Sequence, residues 1–338
     1  MRVCLFCFSD RGSELALRLC EELGIRPKQV HSIPKFASRY GFSAHGSVCA
    51  DMGELFNGND ALIFIGACGI AVRDIAPHLR NKTVDPAVLV IDDQGRFVIP
   101  ILSGHIGGAN ALAQRIAKTI GATAVVTTAT DNAGRFSCDA WASAHNCAIS
   151  SMRLAKDISA AILTQDIPIS SEFELPPVLP DGLKRQEDGE CGIFIGIHKR
   201  GPYTRTLNLI PRIVTVGVGC RRGTNGDAIF KAVEDALSQN GIDMRSVCQI
   251  ATIDVKRDEQ GLLELAKRLD VPVLYYSAEE LNAVVGTFSE SEFVRRTVGT
   301  GNVCERAAAL AGGRLVVGKS AKDGVTTALS VKEWGIEF

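Results

Sequence analysis

The sequence predicts an α/β protein: N-terminal and C-terminal α/β domains with mostly parallel, covered sheets, joined by a small middle segment. Three observations carry that reading. Short, continuous apolar runs such as Val3–Phe8 and Ala61–Ala67 alternate with amphipathic helical stretches, the pattern of strands buried on both faces. Glycines follow the helices and strands where chain reversals are needed. Between the two periodic halves the composition shifts to prolines and acids with little periodicity.

Taken in order, Val3–Phe8 is the first strand. Ser13 is placed to cap a helix over Glu14–Leu23, whose Leu15, Leu19 and Leu23 form one stripe, and Gly24 ends it. The run Ala61–Ala67 leads through Gly69 into a helix reaching about Leu79. Ala87–Ile91 and Arg96–Leu102 flank Asp92-Asp93-Gln94-Gly95, a hairpin-like turn. Ala109–Ile120 reads as a helix and Ala124–Thr128 as a strand. These elements make a first domain over residues 1–135. Residues 136–209 form the middle segment, in which Ser170–Glu190, with Pro176, Pro177, Pro180 and Gly182, reads as a loop or linker. The C-terminal domain, residues 210–338, opens with the strand Ile213–Gly217 and a glycine-rich turn, Gly219–Gly226, that holds Arg221 and Arg222. The helix Asp227–Ser238 and strands near Gln249–Ile253 and Val273–Tyr276 follow. Gly299–Gly301 then leads to a helix from Asn302, with Asn302 and Glu305 at capping-box spacing.

The 338 residues carry a formal net charge of −1, so no basic field points to nucleic acid. No apolar run approaches the roughly 20 residues that cross a bilayer. The N-terminus runs straight into a strand with no secretory h-region, which predicts a cytoplasmic protein. Eleven cysteines scattered through apolar segments fit reduced, buried thiols. Cys4 and Cys7 form a C-x-x-C pair inside a strand, where positions three apart face opposite sides, so a metal or redox role is not expected.

The densest chemistry lies in L-S-G-H-I-G-G-A-N at Leu102–Asn110, between the strand Phe97–Leu102 and the helix Ala109–Ile120. A glycine-rich loop at a helix N-terminus offers backbone N–H groups to an anion. His105 sits within it and suits acid–base work, or hydrogen bonds that merely shape the turn. T-T-A-T-D at Thr127–Asp131 follows a strand, so Asp131 is either a site carboxylate or a helix cap. Gly66–Arg73 is another strand–glycine–helix junction, with Arg73 able to meet a carboxylate. Lys82 and Asp85 lie in a helix-to-strand turn. Gly313–Ser320 has the letters of a P-loop, but Leu315–Val317 is itself a strand, which is the wrong context. Lys319 at the end of that strand can still reach an anion. Gly217, Gly219 and Gly223 miss the dinucleotide spacing, and Arg221 and Arg222 leave a tight turn and carboxylate binding as equal readings. Several glycine-rich strand ends, each with one basic or hydroxylic residue, suit a large polyanion held by dispersed contacts.

Four motifs resemble the cobalamin-biosynthesis protein G family: Gly66–Pro77, Asn81–Val88 (N-K-T-V-D-P-A-V), Ile101–Asn110 and Thr127–Asp131. The second half is similar to that family's C-terminal domain, which also occurs alone, through Val216–Thr224, Ile250–Lys256, Val298–Ala308 and Val316–Ser320. The resemblance implies a cobalt-precorrin-5A hydrolase of the anaerobic corrin pathway. Water opens a ring A δ-lactone, and a two-carbon unit leaves as acetaldehyde. It implies His105, Asp131 and Ser103 as catalytic residues, with Gly104, Gly107, Gly108 and Asn110 as the oxyanion or anion-binding loop. Arg73, Lys82, Arg221, Arg222 and Lys319 are then expected on substrate carboxylates. No cofactor and no protein metal are expected, since the substrate carries its cobalt. The partner is the cobalt tetrapyrrole; the reading allows transient contact with pathway methyltransferases and a homodimer, and expects neither nucleic acid nor membrane. A non-catalytic carrier of corrinoid intermediates is the alternative, and an α/β enzyme that cradles phosphate in its glycine loops ranks behind it.

Overall fold

The computed structural model describes residues 1–44, 51–81, 84–104, 107–127, 134–199 and 201–338. Met1–Ala144 and His145–Phe338 form two compact units. The α/β class expected from the sequence is what the chain adopts.

In the first unit seven strands form one sheet: β1 (Val3–Cys7), β2 (Val30–Ser32), β3 (Ser43–Ala44), β4 (Ala61–Ile65), β5 (Ala87–Ile91), β6 (Phe97–Leu102) and β7 (Thr123–Ala124), in the order β3-β2-β1-β4-β5-β6-β7. The described helices are α1 (Asp10–Leu23), α2 (Pro34–Tyr40), α3 (Met52–Gly58), α4 (Cys68–Ile75), α5 (Ala109–Ile120) and α6 (Cys138–Ala144). Period-two alternation divides the core. Leu5, Cys7 and Ile63 pack with Leu15 and Leu19 of α1 and Leu112 and Ile116 of α5. Cys4, Phe6, Leu62 and Phe64 pack on the other face with Phe56 of α3 and Ile75 of α4. Cys4 and Cys7 are therefore buried, in no disulfide and on opposite faces.

Three local expectations need correction. The strand expected over Ala124–Thr128 is the two-residue β7, Thr123–Ala124, and residues 125–127 leave the sheet. The first helix begins at Asp10, because Ser9 reaches the cap position first: its Oγ accepts from Gly12 N–H at 2.9 Å. Ser13 is fully buried inside the helix, and its hydroxyl donates to the Ser9 carbonyl at 2.8 Å. The helix after β4 starts at Cys68 rather than Gly69, ends at Ile75 and tightens into a 3-10 turn over Ala76–His78.

The Asp92–Gly95 hairpin has a larger effect. It makes β6 antiparallel to β5, with Val88 opposite Leu102 and Ile91 opposite Val98. β6 therefore delivers its C-terminal end to the edge of the sheet where β4 and β5 begin. β7 runs parallel to β6, pairing Phe97 with Thr123, so the chain leaving it heads for the same edge.

The second unit holds two five-stranded sheets. The first is β8 (Cys147–Ile149), β9 (Ile167–Ser171), β10 (Leu183–Arg185), β11 (Cys191–Ile195) and β12 (Arg205–Pro211), ordered β10-β9-β11-β12-β8 with α7 (Met152–Ile162) between β8 and β9. The segment read as a loop thus contains the end of one strand and all of another. Those strands are short, one carries Pro168, and β10 is a three-residue edge strand with exposed Lys184 and Arg185, so little alternation is visible.

The last sheet is β13 (Val214–Cys220), β14 (Val247–Ile253), β15 (Val273–Tyr276), β16 (Arg314–Lys322) and β17 (Val325–Val331), ordered β15-β14-β13-β17-β16. β13, β14 and β15 are parallel, whereas β17 is antiparallel to both β13 and β16. Helices α8 (Gly226–Gln239) and α9 (Gln260–Leu269) cover one face through Ile229, Val233, Leu262 and Leu265. Helices α10 (Ala278–Ala283), α11 (Glu292–Val298) and α12 (Cys304–Gly312) lie on the other, where Leu281, Val303 and Ala307 meet Ala251 and Ile253. Gly217 is the closest point of that packing. A Cβ there would stand 1.9 Å from the Cys304 carbonyl oxygen, so only glycine lets α12 sit on β13. No described helix is long and apolar enough to cross a membrane.

Candidate functional site

In the C-terminal unit the parallel strands β13 and β14 end in a cleft of about 760 Å³. Crevices beyond the carboxyl ends of parallel strands are where open α/β sheets bind ligands. Its wall is apolar where Val255, Phe293, Val294, Val298 and Val303 face it, and its rim carries Arg221, Arg222, Lys256, Lys319 and Lys322 against the single acid Asp323. Val255 is 56% exposed and Phe293 77% exposed, unusually open for large apolar side chains.

The five cations are not equivalent. Arg222 pairs with Asp258 at 2.6 Å, Lys322 with Asp235 at 3.0 Å, and Lys256 with the buried Glu259 at 2.9 Å. Among the described residues neither Arg221 nor Lys319 has an ion-pair partner. Glu259 also accepts the Gly223 N–H at 2.7 Å. Burial works against its ionisation, yet Lys256, Gly223 and Arg222 outweigh that and hold its carboxyl below the ordinary value of 4.5. Cys220, at the end of β13, is no ready nucleophile: burial pushes its thiol above 9.0 despite Lys256 nearby.

Glu305 anchors the cleft floor. It is 5% exposed and accepts from Ser289 N–H (2.8 Å), Ser289 hydroxyl (3.1 Å), Asn302 Nδ2 (2.5 Å) and Lys319 N–H (2.7 Å). The Asn302–Glu305 spacing read as a capping box is half realised: Asn302 Oδ1 accepts the Glu305 N–H at 3.0 Å, while the carboxylate turns to the Asn302 side chain and to two other segments, at Ser289 and Lys319. The helix starts at Cys304, two residues beyond the expected start.

β16 continues through Gly318, Lys319 and Ser320, with its register against β17 shifting between Val317 and Ser320, so the P-loop letters lie in a strand and no helix follows the lysine. The helix near the arginine pair begins at Gly226, capped by Asn225, whose side chain accepts from Asp227 N–H at 2.7 Å. Arg221 and Arg222 therefore stand in the turn before the helix and not at its N-terminus.

In the N-terminal unit the structure brings Ser103 against Asp85, just before β5. The Ser103 hydroxyl donates to the Asp85 carbonyl at 2.9 Å, and Ser103 itself has a left-handed φ of 55°. The helix start is already satisfied by its own loop: Ala109 N–H donates to the Ser103 carbonyl (3.1 Å) and Asn110 N–H to the Gly104 carbonyl (2.9 Å). Of the expected anion-binding loop, the Asn110 N–H is thus committed. The two glycines are sterically required. A Cβ on Gly104 would meet Asn110 Oδ1 at 2.7 Å, and one on Gly107 would meet the Ser103 Cβ at 2.4 Å. Gly108 takes a left-handed φ of 78° as the residue before α5. The buried Asp85 accepts the Arg80 N–H on both oxygens, which closes its turn. Arg73 is exposed on α4, with its guanidinium donating to the Gly69 carbonyl at 3.2 Å. His105, Asp131 and Lys82 lie outside the described residues.

The sequence expectation missed Lys256, Lys322, Phe293, Val255 and the anchor Glu305. Lys256 closes the I-A-T-I-D-V-K motif, a signal that was available; Phe293 and Lys322 carry none. Among the described residues no cluster of His, Cys, Asp and Glu is arranged to hold a metal.

Comparison with known proteins places this architecture. The family model for the cobalamin synthesis G N-terminal domain matches residues 51–131, and that for the cobalamin synthesis G C-terminus matches residues 214–330. The chain is 33% identical to a cobalt-precorrin-5A hydrolase of Salmonella typhimurium, over 97% of each chain. It is 33% identical to one of Priestia megaterium, over 84% of this chain and 82% of that one. It is also 30% identical to Protein CobE of a Sinorhizobium species, over 35% of this chain and 79% of that protein.

Proposed function

The chain belongs to the cobalamin synthesis G family, and from that premise we propose that it is a cobalt-precorrin-5A hydrolase of cobalamin biosynthesis. The observation that carries the reading is identity sustained over 97% of both this chain and a hydrolase relative.

The proposed chemistry has two steps. Water adds to the carbonyl carbon of the ring A δ-lactone, and its proton passes to a base. The tetrahedral oxyanion then collapses, the acyl C–O bond breaks, and a carboxylate and a secondary alcohol remain. The alcohol next gives up its proton. Its oxygen forms the carbonyl of acetaldehyde, the C–C bond to the macrocycle breaks, and the electron pair enters the conjugated ring, which takes a proton. The macrocycle is the electron sink, so the step is redox-neutral and calls on no other cofactor. His105 is assigned as base and acid, with Asp131 orienting it or sharing the proton.

Gly107 and Gly108 N–H groups are assigned to the oxyanion, since those of Ala109 and Asn110 are spent inside the loop. Ser103 is assigned a positioning role. Its hydroxyl already donates to Asp85, which ties the loop to its neighbouring turn. Arg73 and Lys82 are assigned to substrate carboxylates.

The test is anaerobic incubation of the purified protein with enzymatically prepared cobalt-precorrin-5A. Many equivalents of acetaldehyde per protein are expected, with loss of two carbons from the tetrapyrrole. Binding without acetaldehyde would favour a carrier, and no signal from folded protein would reject the assignment.

A further inference from the structure

We infer that the cleft of the C-terminal unit is itself a binding site for a flat polycarboxylate macrocycle, with Arg221 and Lys319 as its carboxylate receptors and Val255, Phe293 and Val298 as the apolar wall. The macrocycle's identity as a cobalt tetrapyrrole rests on the function proposed above; the amphipathic, doubly cationic character of the site does not.

Three observations select this class of ligand. The cleft combines about 760 Å³ of space with large apolar side chains left open to water, which fits a hydrophobic disc better than a small polar metabolite. Arg221 and Lys319 are the rim cations without an ion-pair partner among the described residues, so they meet a ligand anion without first breaking a bridge. Their spacing matters as well. Arg221 follows β13 and Lys319 lies in β16, with β17 between them; the register puts Lys322 level with Cys220, so the backbones of Arg221 and Lys319 are two strand spacings apart across the sheet and about four residues apart along it, roughly 15 Å in all. A single phosphate or carboxylate cannot bridge that span, whereas acid groups on the rim of a macrocycle can. The Asn302–Val303 end of α12 also opens on the cleft and adds its positive dipole end.

The test uses the full chain and cobyrinic acid, a stable cobalt corrin with free carboxylates, followed by calorimetric titration. Its fully esterified form serves as the uncharged control. Arg221→Gln and Lys319→Gln should each weaken binding about tenfold, and the double variant about a hundredfold, as for loss of charge-assisted hydrogen bonds. Val255→Asp should weaken it through the apolar wall, the ester should bind far more weakly than the acid, and Arg268→Gln on α9 should change nothing. Circular dichroism checks that each variant is folded. The assignment is overturned if the native protein does not bind the acid, if the ester binds equally well, or if both cation variants retain full affinity. Acetaldehyde release is read separately on the same preparations. Its absence beside intact, Arg221-dependent binding would sink the hydrolase reading and leave the cleft standing; turnover with cleft-independent binding would do the reverse.

Discussion

The signature loop of the N-terminal unit and the cleft of the C-terminal unit solve opposite problems. The loop is closed on itself: Ser103 and Gly104 carbonyls take the first helical N–H groups, and a Cβ at Gly104 or Gly107 has no room. The cleft is open, with exposed apolar walls and two cations free of ion pairs among the described residues. A closed, sterically tight loop suits groups held to a fraction of an ångström for chemistry. An open cationic surface suits recognition. The difference suggests that damage to the loop appears in turnover and damage to the cleft in affinity.

The largest effect expected is on the loop side. His105→Ala should lower kcat about 10²–10⁴-fold, the usual worth of a general acid–base group, with affinity for cobyrinic acid unchanged. Steady-state acetaldehyde assays beside calorimetry would check it; near-normal turnover by the folded variant would break the comparison. Gly217→Ala attacks the other side by lifting α12 off β13. A Cβ 1.9 Å from a carbonyl oxygen should cost about 3 kcal/mol or more in urea unfolding of the C-terminal unit.

Glu305→Gln is subtler. An amide NH2 must face at least one of the donors now pointed at the carboxylate, at a cost of about 2 kcal/mol. Cobyrinic acid affinity should fall with it, because the Lys319 strand loses its anchor. Unchanged affinity would show that the anchor does not position the cation.

The smallest effect is at Glu259, whose carboxyl is held below 4.5 in the folded protein. Such a group contributes stability that is fully present above its unfolded value and is lost as pH falls through the depressed folded value. Glu259→Gln should therefore lower the urea midpoint at neutral pH, and the gap to the native protein should close below pH 4.5. A gap that persists in acid would assign the loss to packing instead.

Much of the fold was legible because local signals agreed with tertiary ones. Most apolar runs became strands within two or three residues, although the one expected over Ala124–Thr128 keeps only Ala124, paired as Thr123–Ala124; Gly24 and Gly121 ended their helices in left-handed conformations, and Asp92–Gly95 turned the expected hairpin. The first helix start was misplaced because Ser9 and Ser13 are both competent caps, and only the path of β1 decides between them. The middle sheet was hidden because its edge strand is three residues long. The two sites divide in the same way. The loop is contiguous, so its glycines and histidine announce themselves. The cleft draws Arg221, Lys256, Phe293 and Lys319 from four separate segments, and its assembly depends on strand order, which residue spacing does not encode.

The tether between the Lys319 N–H and Glu305 has a consequence for timing. Because the backbone beneath this cation is held by a buried carboxylate, only the aliphatic stem and ammonium have freedom to lose when a ligand arrives. The ordering cost is then that of one side chain, about 0.5–1.5 kcal/mol, rather than that of a folding loop. Association should accordingly be a single fast phase, its rate rising as ionic strength falls, with no slow closing step behind it.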